Sequence, residues 1–345
     1  MKKIIMKVVL ITTTIYVPAV LSRYREIGSD VLFIIAGDRK TPHGETRQFI
    51  NSLGNAVYYS DKDQEKLGYR CSEIIGWNKI MRRNIALLEA IKLRPDIIIS
   101  IDDDNLPLDA AYFETFIKLL SQPYSGVMAS SETKWFNVGD LLDPPVFHRG
   151  FPYDQRLTRL NFQLRPTLDK RVGLAAGLWL GDPDIDAMER ITNRPTVLHL
   201  SDLLNTGVIV DNTHFAPVNS QNTAFVTELV PLMMVLVGVG RYDDIWASYI
   251  AERIMMETEY HVHYGRPLVW QERNPQNQWK NLKDEIFGME FTPRFCQDLI
   301  AAELGSGTVL DKLERLYEYL KGKDYLPSIV YDLGKAWCRD VERVL

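Results

Sequence analysis

Short apolar runs alternate with helix-forming segments along the first 125 residues of the chain. The apolar runs, each predicted as a β-strand, occupy residues 8–13, 31–36, 56–59 and 97–101. The segments predicted as helices occupy residues 18–24, 46–53, 74–93 and 111–120. Strands and helices that alternate in this way are typical of a parallel sheet with helices packed on its faces.

The apolar run at residues 97–101 ends in three consecutive carboxylates, Asp102, Asp103 and Asp104. In open α/β sheets ligands bind at the carboxyl ends of the strands. Hard oxygen ligands at that edge suit Mg²⁺ or Mn²⁺ carrying a diphosphate. The alternative is a solvated turn that caps the next helix, and the triplet alone does not decide between the two.

Polar residues also follow the first two predicted strands. Thr14 ends strand one, and Asp38 follows strand two, so both should reach the same sheet edge as the acid triplet. A nucleotide could lie across these ends, with Arg83 of the predicted helix 74–93 as a further contact. Glycine and polar residues after a strand also form ordinary turns, and that alternative stays open for Asp38.

Beyond residue 125 the sequence becomes irregular and rich in proline and aromatic residues. Residues 143–156 contain three prolines and a glycine, which exclude a long helix and predict a shaped loop. The bulky aromatics beside Arg149 and Arg156 favour a substrate-facing segment, although an ordinary connection packed on the core would also account for them.

The pattern from residue 173 onward predicts further elements. Residues 173–186 indicate a glycine-rich entry, a short strand and an acidic turn, and residues 219–225 form a polar stretch before a helix at 226–235. Asp243 and Asp244 open a helix that runs to about residue 257. The tail shows helical spacing at residues 311–319 and 328–345.

Composition and charge narrow the class of protein. The 345 residues are 46% hydrophobic and 25% charged, which is ordinary for a globular chain, and the net charge of -5 argues against nucleic acid as a partner. The three scattered cysteines have no metal-ligand spacing and indicate a reducing compartment. Lys7 interrupts the first apolar run, which argues against a signal peptide. The apolar segment at residues 229–239 is broken by Pro231 and Gly238 and is too short to span a bilayer, so no transmembrane segment is predicted and we expect a cytoplasmic protein.

Taken together, the motifs resemble those of the reversibly glycosylated polypeptides, which include plant UDP-arabinopyranose mutases and belong with the GT-A glycosyltransferases. A strand-end segment at residues 37–42 is also similar to the STELLO-type group of these enzymes. The matching motifs lie in family order at residues 101–104, 149–152 with Arg156, 177–180 with Pro183, Asp184 and Asp186, 222–225, 240–247 and 281–283.

The resemblance implies an α/β, GT-A-like (Rossmann-type) nucleotide-sugar-binding domain with a mixed central sheet and a C-terminal helical appendage. We place the catalytic domain at residues 1–290, with a nucleotide-binding half at 1–125 and a sugar half at 126–290. The helical region takes residues 291–345, and its helices make a homo-oligomer plausible.

The resemblance also assigns site residues. Asp102 and Asp104 form the metal-binding DXD pair for Mn²⁺ or Mg²⁺, Arg149 is the reversibly glycosylated residue, and Arg156 is required; no flavin is involved. Plant members carry a histidine at the position of Gln271, which becomes the third candidate metal ligand. Further contacts to the nucleotide sugar are assigned to Asp103, Trp179 and Asn222.

The predicted function is a mutase that interconverts pyranose and furanose forms of a nucleoside diphosphate sugar, as in cell-surface polysaccharide biosynthesis. A guanidinium has no free lone pair, so Arg149 needs carboxylates to take its proton, and Asp243 and Asp244 are the candidates. One alternative is a retaining glycosyltransferase with a separate acceptor. Another is a non-catalytic scaffold, but the acids and the two arginines argue against it, because a scaffold needs none of them. UDP is the family expectation, and the sequence does not identify the sugar.

Overall fold

The computed structural model describes residues 6–158, 162–273 and 275–345. Within these ranges the core is a ten-stranded mixed sheet in the order β3-β2-β1-β4-β11-β8-β6-β10-β12-β5, with β7 and β9 paired separately. The strands are β1 (Val8–Thr14), β2 (Leu32–Gly37), β3 (Ala56–Tyr59), β4 (Ile97–Ile101), β5 (Leu106–Pro107), β6 (Tyr124–Ser131), β7 (Leu142–Asp143), β8 (Phe162–Gly181), β9 (His199–Leu200), β10 (Val208–Val210), β11 (Asn222–Val226) and β12 (Tyr260–Gln271).

Helices cover the sheet and form the C-terminal part of the chain. None of those described here combines the length and the apolar character needed to cross a bilayer. They are α1 (Leu21–Ile27), α2 (His43–Leu53), α3 (Asp61–Lys66), α4 (Arg70–Ile75), α5 (Arg83–Ile91), α6 (Tyr112–Ser121), α7 (Ala187–Thr192), α8 (Leu203–Thr206), α9 (Asp243–Met255), α10 (Gln278–Ala301), α11 (Val309–Leu320) and α12 (Ser328–Val344).

The first half of the sheet is parallel and buried. β1 lies between β2 and β4 and runs parallel to both, and every residue of β1 and β4 is buried. This burial on both faces explains why these strands are continuous apolar runs without polar alternation. β11 then pairs antiparallel with β4, which makes the sheet mixed. The predicted α/β architecture of the GT-A-like, Rossmann type is therefore confirmed.

Three predicted elements were wrong. The helix predicted at 74–93 is interrupted after Ile75, because Gly76 and Asn78 adopt positive φ angles of 67° and 60°. The short strand predicted within 173–186 is the end of the 20-residue β8. The helix predicted at 226–235 is instead the end of β11 followed by a 3-10 turn containing Pro231.

The C-terminal helices pack against elements from both halves of the chain. Helix α10, which the sequence pattern did not predict, continues through residue 290, where the domain boundary was placed. In α12, the buried Trp337 donates from Nε1 to the carbonyl oxygen of Pro231 at 2.7 Å. The Asp340 carboxylate accepts hydrogen bonds from the backbone N–H groups of Arg70 and Cys71 in α4. Through Trp337, α12 therefore contacts residues 227–232, which precede α9 in the chain.

Candidate active site

A cavity of about 840 Å³ opens at the carboxyl ends of β1 and β4. Its volume is within the range of small-molecule sites. The walls come from the end of β1, the turn before α5, the acid triplet after β4, the start of α9 and the end of β12. Nine of the predicted site residues line it, namely Thr14, Arg83, Asp102, Asp103, Asp104, Arg149, Asp243, Asp244 and Gln271.

Each acid of the triplet has a different environment. Asp102 forms an ion pair with Arg83, whose Nη1 also donates to the Ser220 hydroxyl at 2.7 Å. The Thr14 hydroxyl donates to Asp103. Partial desolvation, together with the charges of Asp102 and Asp103, raises the pKa of Asp104 to about 6. Like charges held this close favour a cation among them.

Basic side chains line the cavity as well. Lys79, Arg241 and Arg273 join Arg83 and Arg149 at its walls. Arg273 donates from Nη2 towards Gln271 and Asp184, at 3.4 Å and 3.3 Å. Arginines at several walls suit the oxygens of a diphosphate, which accept hydrogen bonds from guanidinium groups.

Arg149 is clamped between two carboxylates. Asp184 accepts from Nε and Nη2, both at 3.0 Å, and Asp244 accepts from Nη1 at 2.9 Å and from Nη2 at 3.1 Å. Nη1 also donates to the carbonyl oxygen of Arg241. A guanidinium has five N–H donors, so these contacts occupy every one of them. The group is held in one plane and one orientation.

The contacts between Arg149 and its two carboxylates also determine the charge states of Arg149 and Asp184. Burial alone would lower the pKa of Arg149, but the charges of Asp184 and Asp244 outweigh it and raise the pKa well above its ordinary value. Burial opposes ionisation of Asp184, yet the charges of Arg149 and Arg273 hold its pKa below the ordinary value. In the absence of substrate both partners are therefore charged.

Asp243 differs from its neighbour Asp244. Its carboxylate accepts the Val239 backbone N–H at 3.0 Å, and no hydrogen bond with Arg149 is found among the described contacts. Burial raises the pKa of Asp243 to about 7, with the charge of Asp244 adding to the effect. Of the two predicted proton acceptors for Arg149, Asp244 makes the direct contact, and Asp184 shares it. From the sequence, Asp184 was only a motif residue and Arg273 had no predicted role.

Arg156 is not among the residues that line the cavity. It forms an ion pair with the fully buried Asp186, and its guanidinium stacks 3.7 Å from the ring centroid of Tyr153. The Tyr153 hydroxyl donates to the same carboxylate at 2.8 Å. In this arrangement Arg156 orders the segment that carries Arg149.

Three other predicted contacts lie outside the cavity lining. The Asp38 carboxylate, 1% exposed, accepts the backbone N–H groups of Asn78 and Lys79 and so shapes the turn before α5. Asn222 is buried in β11 and donates to the Pro267 carbonyl oxygen at 3.0 Å. Trp179 is buried in β8. Their roles as nucleotide-sugar contacts stay predictions, while the hydrogen bonds show how Asp38 and Asn222 support the walls.

The chain matches the model of the family described as "Reversibly glycosylated polypeptide" over residues 4–307. It belongs to this family. The matched range contains all nine predicted residues that line the cavity and ends before α11. Helix α12 therefore supplies a cavity-lining residue, Ile329, from outside the family match.

Curated relatives of this chain carry mutase names. A probable UDP-arabinopyranose mutase 1 of Pisum sativum is 32% identical over 208 residues, covering 56% of this chain and 51% of the relative. A probable UDP-arabinopyranose mutase 1 of Zea mays is 29% identical over 220 residues, covering 60% and 55%. UDP-arabinopyranose mutase 3 of Arabidopsis thaliana is 28% identical over 183 residues, covering 50% and 46%. The chain spans about half the length of these relatives.

Proposed function

We propose that the protein is a mutase that interconverts the pyranose and furanose forms of a UDP-sugar, with reversible glycosylation of its own Arg149. The observation that carries this proposal is a guanidinium at the wall of a nucleotide-sized cavity, held between two carboxylates. The mutase names of the relatives support UDP-arabinose as the substrate to test first.

The walls suit the diphosphate of such a substrate. Lys79, Arg241 and Arg273 offer cationic groups at the walls of the same cavity that the acid triplet lines. The planar guanidinium of an arginine can donate two parallel hydrogen bonds to phosphate oxygens, and the ammonium group of a lysine adds a localised positive charge.

A divalent metal fits the acidic side of the cavity. Asp104 and the second oxygen of Asp102 would bind it, with the amide oxygen of Gln271 from β12 as a third protein ligand. Among the described residues no group of three or more His, Cys, Asp or Glu is arranged for a metal, so a diphosphate would complete the coordination. When bound, the ion would neutralise the charge of the departing diphosphate.

Capture of the sugar requires a proton to leave Arg149. Asp244 accepts hydrogen bonds from the terminal nitrogens and lines the cavity, so it takes that proton. The freed electron pair of the nitrogen then bonds to the anomeric carbon, and the bond from that carbon to the diphosphate breaks with its electrons on oxygen.

Ring opening and reclosure move a further proton. The ring oxygen must gain a proton when its bond to the anomeric carbon breaks, and the hydroxyl that closes the new ring must lose one. Asp243 lines the cavity, and its pKa of about 7 suits both directions near neutral pH. The same diphosphate then recaptures the sugar and releases Arg149.

The test uses purified protein, UDP-arabinopyranose and Mn²⁺ without an acceptor, followed by proton NMR. Furanose signals are expected with the wild-type chain and with Arg171→Ala, a control at a half-exposed arginine of β8. Arg149→Ala should give none, and it should retain no label from a radioactive UDP-sugar. Hydrolysis alone, or turnover only with an added acceptor, would contradict the mutase and indicate a glycosyltransferase.

A further inference from the structure

The two carboxylates that hold Arg149 occupy different environments. Asp184 is 1% exposed and receives four hydrogen bonds, two from Arg149, one from Arg273 at 3.3 Å and one from the side-chain amide of Asn219 at 2.8 Å. Its carboxylate is therefore enclosed by donors. It is not among the residues that line the cavity.

Asp244, by contrast, faces the cavity. Its side chain is 17% exposed, and besides Arg149 its carboxylate accepts only the backbone N–H of Ile245 at 3.0 Å among the described contacts. The two acids thus bind adjacent edges of one guanidinium, one acid enclosed in protein and the other open to a ligand.

The nitrogens of Arg149 divide in the same way. Nε bonds to Asp184 alone, and Nη2 is shared between the two acids. Nη1 donates to Asp244 and to the Arg241 carbonyl oxygen, and both of these residues line the cavity. The backbone N–H of Arg149 also donates to the Asp184 carbonyl oxygen at 2.8 Å, which ties the two residues together at a second point.

We propose that Asp184 is a positioning residue that fixes the guanidinium plane of Arg149 through Nε and Nη2 and presents Nη1 to the sugar. The inference rests on the proposed function and deepens it. Nη1 passes its proton to Asp244, its electron pair bonds to the anomeric carbon, and the diphosphate leaves with the electrons of the broken bond. Asp184 stays ionised throughout and exchanges no proton.

Asp184→Asn tests the positioning role, because the amide keeps the size of the side chain but turns an N–H towards Arg149. The rate of furanose formation is measured per UDP-binding site, with sites counted by calorimetry. We expect kcat to fall roughly 100-fold, as for a misplaced reacting group, while KM for UDP-arabinopyranose changes by less than about threefold. A purely structural role would instead lower the number of sites and leave kcat per site unchanged, and that result would overturn the proposal.

Two further variants keep the test decisive if Asp184→Asn does not fold. Asn219→Ala removes one of the four donors to Asp184 without changing charge, and we expect a smaller loss of kcat, on the order of fivefold, at constant KM. Asp182→Asn lies two residues from Asp184, is 34% exposed on the side chain and bonds to Arg273 and Arg190 instead of Arg149, so it should keep the wild-type kcat. Equal rates for Asn219→Ala and the wild type would refute the positioning role.

Asp244→Asn distinguishes the two acids. It should abolish both furanose formation and label retention while UDP still binds, because the amide has no basic oxygen to accept the Nη1 proton. Label retained by Asp244→Asn but lost by Asp184→Asn would reverse the assignment. If the wild-type chain itself forms no furanose and retains no label, the proposed function fails, and that outcome is separate from a failure of Asp184.

Discussion

Arg83 and Asp102 form an ion pair at the floor of the cavity, with the arginine side chain 3% exposed and the aspartate 16% exposed. Arg83 is the first residue of α5, and Asp102 follows β4, so the pair joins the helix to the acid triplet. The same guanidinium binds the backbone and side chain of Ser220. One arginine therefore holds two walls of the site together.

Loss of this arginine should destabilise the fold. In Arg83→Gln the Asp102 carboxylate stays partly buried without its cation, and we expect the free energy of unfolding to fall by about 3–5 kcal/mol. Arg23→Gln breaks an exposed pair with Glu26 and should cost less than about 1 kcal/mol. Urea denaturation of both variants measures the difference, and equal losses would contradict a structural role for the buried pair.

Asp104 and Asp103 should respond differently to substitution. Asp104→Asn removes a carboxylate that the proposed metal needs, so we expect Mn²⁺ affinity in the presence of UDP to fall at least about tenfold. Asp103→Asn keeps an oxygen for the Thr14 hydroxyl and should change that affinity less. Free Mn²⁺ is measured by electron paramagnetic resonance. Unaltered Mn²⁺ binding in Asp104→Asn would remove Asp104 from the metal site.

Asp243 should make stability depend on pH. Its pKa is raised from 3.8 to about 7, so the folded protein keeps a proton that the unfolded chain releases in this range. The stabilisation is complete below pH 3.8 and is lost as pH rises through about 7. Asp244, Lys79 and Arg149 are the charged groups that act on this carboxylate.

The variant Asp243→Asn isolates this effect. Between about pH 4 and pH 7 the free energy of unfolding of the wild type should decrease by a few kcal/mol more than that of the variant. Glu303→Gln, at an exposed acid between α10 and α11, should follow the wild type. Parallel curves for Asp243→Asn and the wild type would show that Asp243 titrates normally.

Asp340 of α12 caps α4 from a distant part of the chain. It is 2% exposed and accepts the N–H groups of Arg70 at 3.1 Å and Cys71 at 2.8 Å. Asp340→Ala should lower the free energy of unfolding by about 2 kcal/mol, because two backbone donors lose their partner. Asp332→Ala, an exposed site on the same helix, removes the same charge and should cost less than about 0.5 kcal/mol. The midpoints of urea unfolding are compared for the two variants. Equal midpoints for Asp340→Ala and Asp332→Ala would show that Asp340 does not stabilise α4 as a cap.

Gly240 lies in the cavity wall just before α9, with φ at 67°. A Cβ there would lie 2.0 Å from the carbonyl oxygen of Asp284, whereas Gly54 has a similar φ of 61° and open space around its Cβ position. Gly54→Ala should therefore cost about 1 kcal/mol for backbone strain, and Gly240→Ala roughly 2–4 kcal/mol because overpacking adds to it. Thermal unfolding measures the loss of stability in both variants. Equal losses would mean that the cavity wall shifts to accommodate the added Cβ at residue 240.

The sequence alone determined the strands β1 to β4 and the acid triplet at the end of β4. A strand buried on both faces must be an apolar run, and the acids that follow it can only lie at the sheet edge, so both features are local. The motif around Arg149, through its family resemblance, likewise indicated the type of chemistry, because that motif is also a short local stretch of the chain.

Tertiary structure decided the partners of these residues. Asp184 lies 35 positions from Arg149 in the chain and Asp244 lies 95 positions from it, and no local period links them. The Asp38 carboxylate binds the backbone before α5, because the helix break at Gly76 brings those N–H groups to it, and the residues next to Asp38 in the sequence do not show this contact. Helical and strand periodicity encode which face of an element is buried, whereas the topology of the sheet decides which distant carboxylate meets which cation.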